Sequence, residues 1–481
     1  MGSGVECLPG FAESPENEVK HVASSSAMTS TPARLTEGPV AGHLVSMTVP
    51  MVWAILGMML FNVTDTWFVA QLGSEPLAAM SFTFPVIMVM TSLGIGLMAG
   101  TSSVIARVVG AGDMDQVRRL AADAVTLALL VSLVLSVVGI ASLDWLFTLM
   151  GASPRVLALI RDYMVIWYAG FVLVLVPMVG IGAVRATGDT KLQARLMLAA
   201  AAINLILDPL LIFGWLGLPR LELQGAAIAS LVARFVTLIA GAVVIRRMRL
   251  VGSPLTPLPV LWRSWKRILH IGLPAAGTNV IIPVSAGIIV ALLAGFGDRA
   301  VAGFGAATRI EGLTLVVFYA MSAIIGPFVG QNLGARKAER IVESLRVSAV
   351  FCLGLGVAAA ALLWLLAPQL SRLFSNDPQV IAVTTSYLRI VPWSYGAAGI
   401  IMVMNAAFNG IGRPLPAVTI SVVRTLVLYV PLAYGAAHLF GIPGIFAAAC
   451  FSDLLSGIIA YAWVRRHCRT HAPIPESPTT P

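Results

Sequence analysis

Apolar runs of roughly twenty residues, enough to cross a bilayer as a helix, recur along the chain. Short polar stretches rich in Gly, Pro, Asp and Arg separate them. Twelve such runs can be placed. Six lie near 42–70, 77–106, 120–143, 163–182, 196–218 and 225–245. Six more lie near 268–296, 300–330, 347–366, 383–407, 416–439 and 444–464. The stretch between the two sets carries Arg246, Arg247, Arg249, Arg263, Lys266 and Arg267 and no acid. The pattern predicts an all-α polytopic membrane protein of twelve transmembrane helices. Its expected parts are a disordered tail over 1–40, a six-helix lobe over 41–245, a basic linker over 246–267, a second six-helix lobe over 268–464 and a tail over 465–481.

The two sets repeat each other. At a constant offset of 224 residues, Pro50 meets Pro274, Gly73 meets Gly297, Gly110 meets Gly334, Pro154 meets Pro378, Tyr163 meets Tyr387 and Gly188 meets Gly412. Proline and glycine coincidences carry weight because they fix bends, turns and close helix contacts. Each half holds an even number of helices, so both halves enter from one side. The lobes are therefore expected to be related by a pseudo-two-fold axis along the membrane normal, with a substrate cavity between them.

Composition narrows the class without changing it. A chain 58% hydrophobic and 11% charged is no ordinary soluble domain. The net charge of +9 is spread over short loops, which is not the footprint of nucleic-acid binding. Of the 31 Lys and Arg, 22 fall in the tails and the loops on the N-terminal side. The opposite loops hold Arg155, Arg161, Arg220, Arg299 and Arg372. This asymmetry predicts that both termini are cytoplasmic. Residues 13–39, rich in Pro, Ser, Glu and Thr, have no apolar periodicity and read as disordered. Cys7, Cys352, Cys450 and Cys468 form no ligand spacing.

The candidate chemistry centres on A-I-N-L-I-L-D-P, residues 202–209. Asn204 and Asp208 are one turn apart on one helical face. Pro209 donates no amide hydrogen, so the carbonyl of Leu205 is free to face a cavity. An ionisable residue at membrane depth costs at least ~2.5–3.5 kcal/mol and by default marks a functional site. Pro50 and Pro274 are expected to bend the first and seventh helices in the same way.

The motifs P-M-V-W at 50–53, D-T-W-F-V-A-Q-L-G at 65–73, G-A-A-T-R-I at 305–310 and V-G-Q-N-L-G-A at 329–335 resemble those of the multidrug and toxic compound extrusion (MATE) transporters. The likeness runs from about 40 to 465 and is greatest to the DNA-damage-inducible F branch. It implies a V of two lobes in the bacterial inner membrane that exports small organic, mostly cationic, compounds in exchange for H⁺ or Na⁺. It also implies that Asp65, Asn204, Asp208 and Ser230 hold the coupling cation. No other cofactor, no nucleic acid and no partner chain is expected, only membrane lipid around a monomer.

The repeat sharpens that site by what it omits. At the same offset Asp65 meets Ile289, Asn204 meets Leu428 and Asp208 meets Leu432. Counted along the helix rise from Gly73, Gly217 and Gly225, Asp65 lies ~12 Å deep, Asp208 ~13 Å and Ser230 ~8 Å. Two carboxylates in low dielectric do not both ionise without a cation, so one holds a proton or both ligate Na⁺. In the second lobe, Arg309, Glu311, Arg424 and Asp453 read as a structural polar cluster, with Arg424 paired to Asp453 or Glu311.

Two other functions fit the chain less well. A flippase for polyanionic lipid precursors would line its cavity with basic residues, whereas only Arg234, Arg309, Arg389 and Arg424 lie within spans. G-F-G-D at 295–298 matches an intramembrane aspartyl protease pattern, but it falls in a loop and the chain has no Tyr-Asp dipeptide. Transport is the reading, not enzymology.

Overall fold

The computed structural model describes residues 34–247 and 257–470. The rest of the expected tails and the middle of the linker lie outside the described residues. Helices account for nearly all of what is described. They are α1 (Val40–Ala70), α2 (Ser74–Ala111), α3 (Met114–Leu149), α4 in two halves (Pro154–Ala169 and Val172–Ala186), α5 (Thr190–Ile212) and α6 (Glu222–Arg247). The second lobe has α7 (Leu258–Ala294), α8 in two halves (Asp298–Thr314 and Val316–Gly334), α9 (Ala338–Phe374) and α10 (Pro378–Ile411).

The remaining stretch, Pro414–Cys468, is helical throughout but is two spans. Gly441 breaks it with φ 64° and ψ −147°, a conformation closed to residues with a Cβ. Twenty-nine residues of straight helix would be ~43 Å long. Yet the side chains of Arg424 and Asp453, that far apart in sequence, are in contact. The chain therefore reverses at Gly441, giving α11 before it and α12 after it. Together with the halves of α4, bent by 42°, this makes twelve spans.

Local chemistry sets the ends. Asp113, Ser153, Asp189 and Asp377 cap helices by accepting from the amides of Gln116, Val156, Leu192 and Gln379. Pro154 and Pro378, partners in the repeat, each open a helix where no amide hydrogen is needed.

The two-fold relation extends to individual contacts. Call the end at which α1 begins the near end. There the first turns of α1 and α7 cross over. Leu44 and Met47 of α1 are buried in the core of the second lobe. Their repeat partners, Ile268 and Ile271 of α7, are buried in the core of the first. Gly110 sits against the carbonyl of Gln331, and Gly334 against the carbonyl of Arg107, too close in both cases for a side chain. Residues 107 and 331 are themselves partners at the offset of 224. Arg107 donates to the carbonyl of Gly410 at 3.4 Å and Gln331 to that of Ala186 at 2.6 Å, again partners. Ser103 donates to the carbonyl of Asn409.

Among the described residues, every hydrogen bond between lobes lies in the near half. Far-end ion pairs such as Arg161–Asp144 and Arg299–Asp377 stay within one lobe. Hydrogen bonds thus join the lobes at the near end.

Several boundaries differ from the sequence pattern, with α4 and α9 beginning nine residues earlier than expected, at Pro154 and Ala338. α5 ends at Ile212 rather than near 218, because Gly214 (φ 74°) turns the chain into a short 3-10 turn, Trp215–Gly217. α7 begins at Leu258, so the last part of the expected linker is helical. Residues 34–38, expected in the disordered tail, are fixed to the segment around the end of α8. The amide of Leu35 donates to Gln331, while Asn332, Lys337 and Arg340 donate to the carbonyls of Leu35, Thr36 and Gly38.

Candidate cation-coupling site

The four residues expected to hold the coupling cation come from α1, α5 and α6, and small residues set the approach of those helices. Gly57 of α1 leaves room for Leu198 of α5, and Gly225 lets the start of α6 touch the backbone at Leu211. Gly170 similarly admits Leu231, drawing α4 onto α6. The result places Asn204 and Asp208 fully out of solvent, with Ser230 3% and Asp65 7% exposed. Asn204 donates through Nδ2 to Ser230 Oγ at 3.3 Å. Asp65 and Asp208 lie within electrostatic reach of each other, and Tyr163 of α4 lies within reach of both.

The depths differ from the sequence expectation. Measured from the ends of their own helices, Asp65 is ~8 Å in, Asp208 ~6 Å and Ser230 ~12 Å. The expected values counted helix rise through Gly217, a segment that is not helical. Asp208 is nevertheless fully out of solvent.

Asp65 Oδ1, Asn204 Oδ1 and both carboxylate oxygens of Asp208 are buried without a donor among the described residues. Four orphaned acceptors in one place are costly unless a positive charge or a proton joins them. Their hard oxygen chemistry suits H⁺ or Na⁺. Among the described residues, no three His, Cys, Asp or Glu side chains form a metal cluster.

Sequence reasoning missed Tyr163 as part of this site, along with Trp167 and Arg234 behind it. Tyr163 and Trp167 have ring centroids 6.4 Å apart, and Arg234 lies 6.0 Å from the Trp167 ring. The one available signal was the repeat pairing of Tyr163 with Tyr387.

The second-lobe cluster divides. Arg424 Nε donates to Asp453 Oδ1 at 2.5 Å, and Ser394 Oγ donates to Asp453 Oδ2 at 3.3 Å. Glu311 accepts instead from the Tyr387 hydroxyl at 2.6 Å. Arg309 takes no part and has no hydrogen bond or ion pair among the described residues. Pro50, Pro209 and Pro274 all lie inside continuous helices.

A family profile described as MatE matches residues 50–210 and again 274–435. The two matches begin 224 residues apart, the offset of the repeat. The chain belongs to the MatE family. A "FAD transporter" of Shewanella oneidensis is 39% identical over 435 residues, 90% of this chain and 96% of the relative. A "Probable multidrug resistance protein YoeA" of Bacillus subtilis is 24% identical over 88% of this chain and 92% of its own length. A crystal structure of a mutant form of the Vibrio cholerae MATE transporter VcmN superposes with a TM-score of 0.86 at 31% identity, covering 90% of this chain and 98% of that one. A MATE transporter in an outward-facing conformation superposes with a TM-score of 0.85 at 27% identity over 92% of this chain and 99% of that one. This MatE protein is accordingly an integral, multi-pass membrane transporter and not an enzyme. The relatives do not support the DNA-damage-inducible F branch, since the one at 39% identity bears a different name.

Proposed function

We propose that this chain is a cation-driven antiporter that exports small organic, often cationic, compounds by alternating access. The observation that carries the reading is the set of four donor-less buried oxygens on Asp65, Asn204 and Asp208. A proton or Na⁺ entering from the far end neutralises the set and is exchanged for outgoing substrate. The near end then faces the cytoplasm of the bacterial cell, both termini lie on that side, and the protein works as a monomer in lipid. The charge asymmetry supports this orientation.

Uptake into everted vesicles, with ΔpH and ΔNa⁺ imposed separately, identifies the ion. Substrate accumulation that responds to neither gradient overturns the antiport reading. Single cysteines at Pro257 and Ser74, on a background without native Cys, test the orientation. An impermeant reagent is expected to reach Ser74→Cys from outside and to miss Pro257→Cys.

The name of the Shewanella relative favours a second, narrower reading of the cargo, a flavin dinucleotide in place of an organic cation. Export of FAD by cells expressing the protein, against cells carrying the Asp208→Asn variant, separates the two.

A further inference from the structure

The second lobe contains a polar cluster that the coupling site does not use. It is centred on Tyr387, the repeat partner of Tyr163, and so occupies the place in its lobe that the coupling site occupies in the other. Three of the helices around it are interrupted where they meet it. α8 breaks between Thr314 and Val316, just after Glu311. α10 passes through a 3-10 turn, Val391–Ser394, that delivers Ser394 and Tyr395. α11 opens into a π-helical turn, Val423–Tyr429, that carries Arg424 and Tyr429. Interrupted helices at membrane depth are tolerated where they build a site, and π-helical turns are frequent at such places.

The groups inside are unevenly satisfied. Asp453 uses one oxygen on Arg424 Nε and the other on Ser394. Among the described residues, the terminal nitrogens of Arg424 have no partner, and its side chain is 28% exposed. The Tyr395 hydroxyl is buried, without a partner, and within electrostatic reach of Glu311 and Asp453. Tyr319 and Tyr429 lie within reach of Arg424. Gly312, adjacent to Glu311, meets Met59 of α1, so this part of α8 lies at the boundary between the lobes.

We propose that Arg424 is a specificity residue, receiving the phosphate or carboxylate of an anionic aromatic substrate on the second-lobe wall of the cleft. Asp453 positions it, holding Nε so that the planar fork of remaining donors faces the cleft. That fork matches a phosphate or carboxylate with two parallel hydrogen bonds, which an ammonium cannot supply. Tyr319 and Tyr429 offer flat faces for an aromatic ring beside the charge. This deepens the exporter reading and rests on it.

The test uses purified full-length protein in phosphatidylcholine nanodiscs, with FAD as the anionic aromatic probe and ethidium as the cationic one. Arg424→Gln is expected to weaken FAD binding about tenfold or more and to leave ethidium within twofold. Arg424→Lys should recover only part of the loss. Because Arg424→Gln leaves Asp453 without its partner, a double variant, Arg424→Gln with Asp453→Asn, removes both charges and preserves folding. It is expected to show the same selective loss.

Equal loss of both probes in the double variant, or unchanged FAD binding, overturns the proposal. Phosphatidylglycerol that displaces FAD from the wild type, and whose own binding is lost in the double variant while FAD binding is retained there, would reassign the ligand to lipid phosphate and overturn the proposal. Wild-type protein that carries ethidium under an imposed gradient yet binds no FAD overturns this proposal alone. Protein that carries neither probe under either gradient overturns the exporter reading, while FAD binding still decides on Arg424.

Discussion

Two polar clusters built on the same repeat have been given opposite chemistry. Around Tyr163 the first lobe gathers Asp65, Asn204, Asp208 and Ser230, and four of their oxygens lack a donor. Around Tyr387 the second lobe gathers Glu311, Asp453 and Arg424, and each carboxylate there accepts from a hydroxyl or a guanidinium. The first is short of positive charge, and on the proposed reading a mobile cation completes it. The second already contains its cation as a side chain. The repeat supplies one scaffold, and different residues on corresponding helices give its two copies opposite polar chemistry.

The largest expected effect tests the first cluster. Asp65→Asn or Asp208→Asn should abolish gradient-driven accumulation in vesicles, because an amide keeps the shape but neither loses a proton nor neutralises Na⁺. The same variants should stay folded by size-exclusion chromatography and unfold no earlier than wild type, since each removes a buried charge that has no partner. Retained gradient response in either folded variant would move the coupling site elsewhere.

Asp453→Asn should behave in the reverse manner. It leaves Arg424 unpaired and is expected to lower stability by about 1–3 kcal/mol, less than for a fully buried pair because Arg424 is partly exposed. Thermal unfolding in detergent reads this directly. Coupling should persist in the protein that remains folded. A coupling defect as deep as that of Asp65→Asn would make the two clusters alike and erase the contrast.

Smaller effects test the symmetry that joins the lobes. Gly110→Ala and Gly334→Ala each place a methyl against a carbonyl of the other lobe. Each should cost about 1–3 kcal/mol and slow transport, because close packing at the near end must form and release in every cycle. The two are expected to be nearly equal in the unfolding measurement, and a large inequality would show that the pseudo-two-fold contacts are not energetically matched.

The smallest effect concerns the chain before α1. Deleting residues 1–33 should leave export and stability unchanged. Extending the deletion through Gly38 removes the acceptors for Asn332, Lys337 and Arg340 and should cost about 0.5–1.5 kcal/mol per bond. Comparing the unfolding temperatures of the two truncations checks it.

Sequence alone determined the span count, the repeat and its offset, because these depend on properties local to the chain. Apolar length, proline and glycine leave their mark wherever the helix goes next. It also singled out Asn204 and Asp208, since one helical face brings them together without help from the fold. Asp65 and Ser230 joined them through family likeness, and only tertiary packing brought α1, α5 and α6 into one site. The sequence pattern misplaces the end of α5 because apolar composition does not tell a helix from a short turn, and the start of α7 because its first turns carry Arg263, Lys266 and Arg267. The clamp on residues 34–38 was invisible for a different reason. Its donors lie about three hundred residues away in sequence, and a loop that owes its order to distant side chains looks, from within, like any polar tail. The division of the second-lobe cluster was also decided in three dimensions. Whether Arg424 reached Glu311 or Asp453 depended on where Gly441 turned the chain, and that single backbone conformation placed α12 against α11.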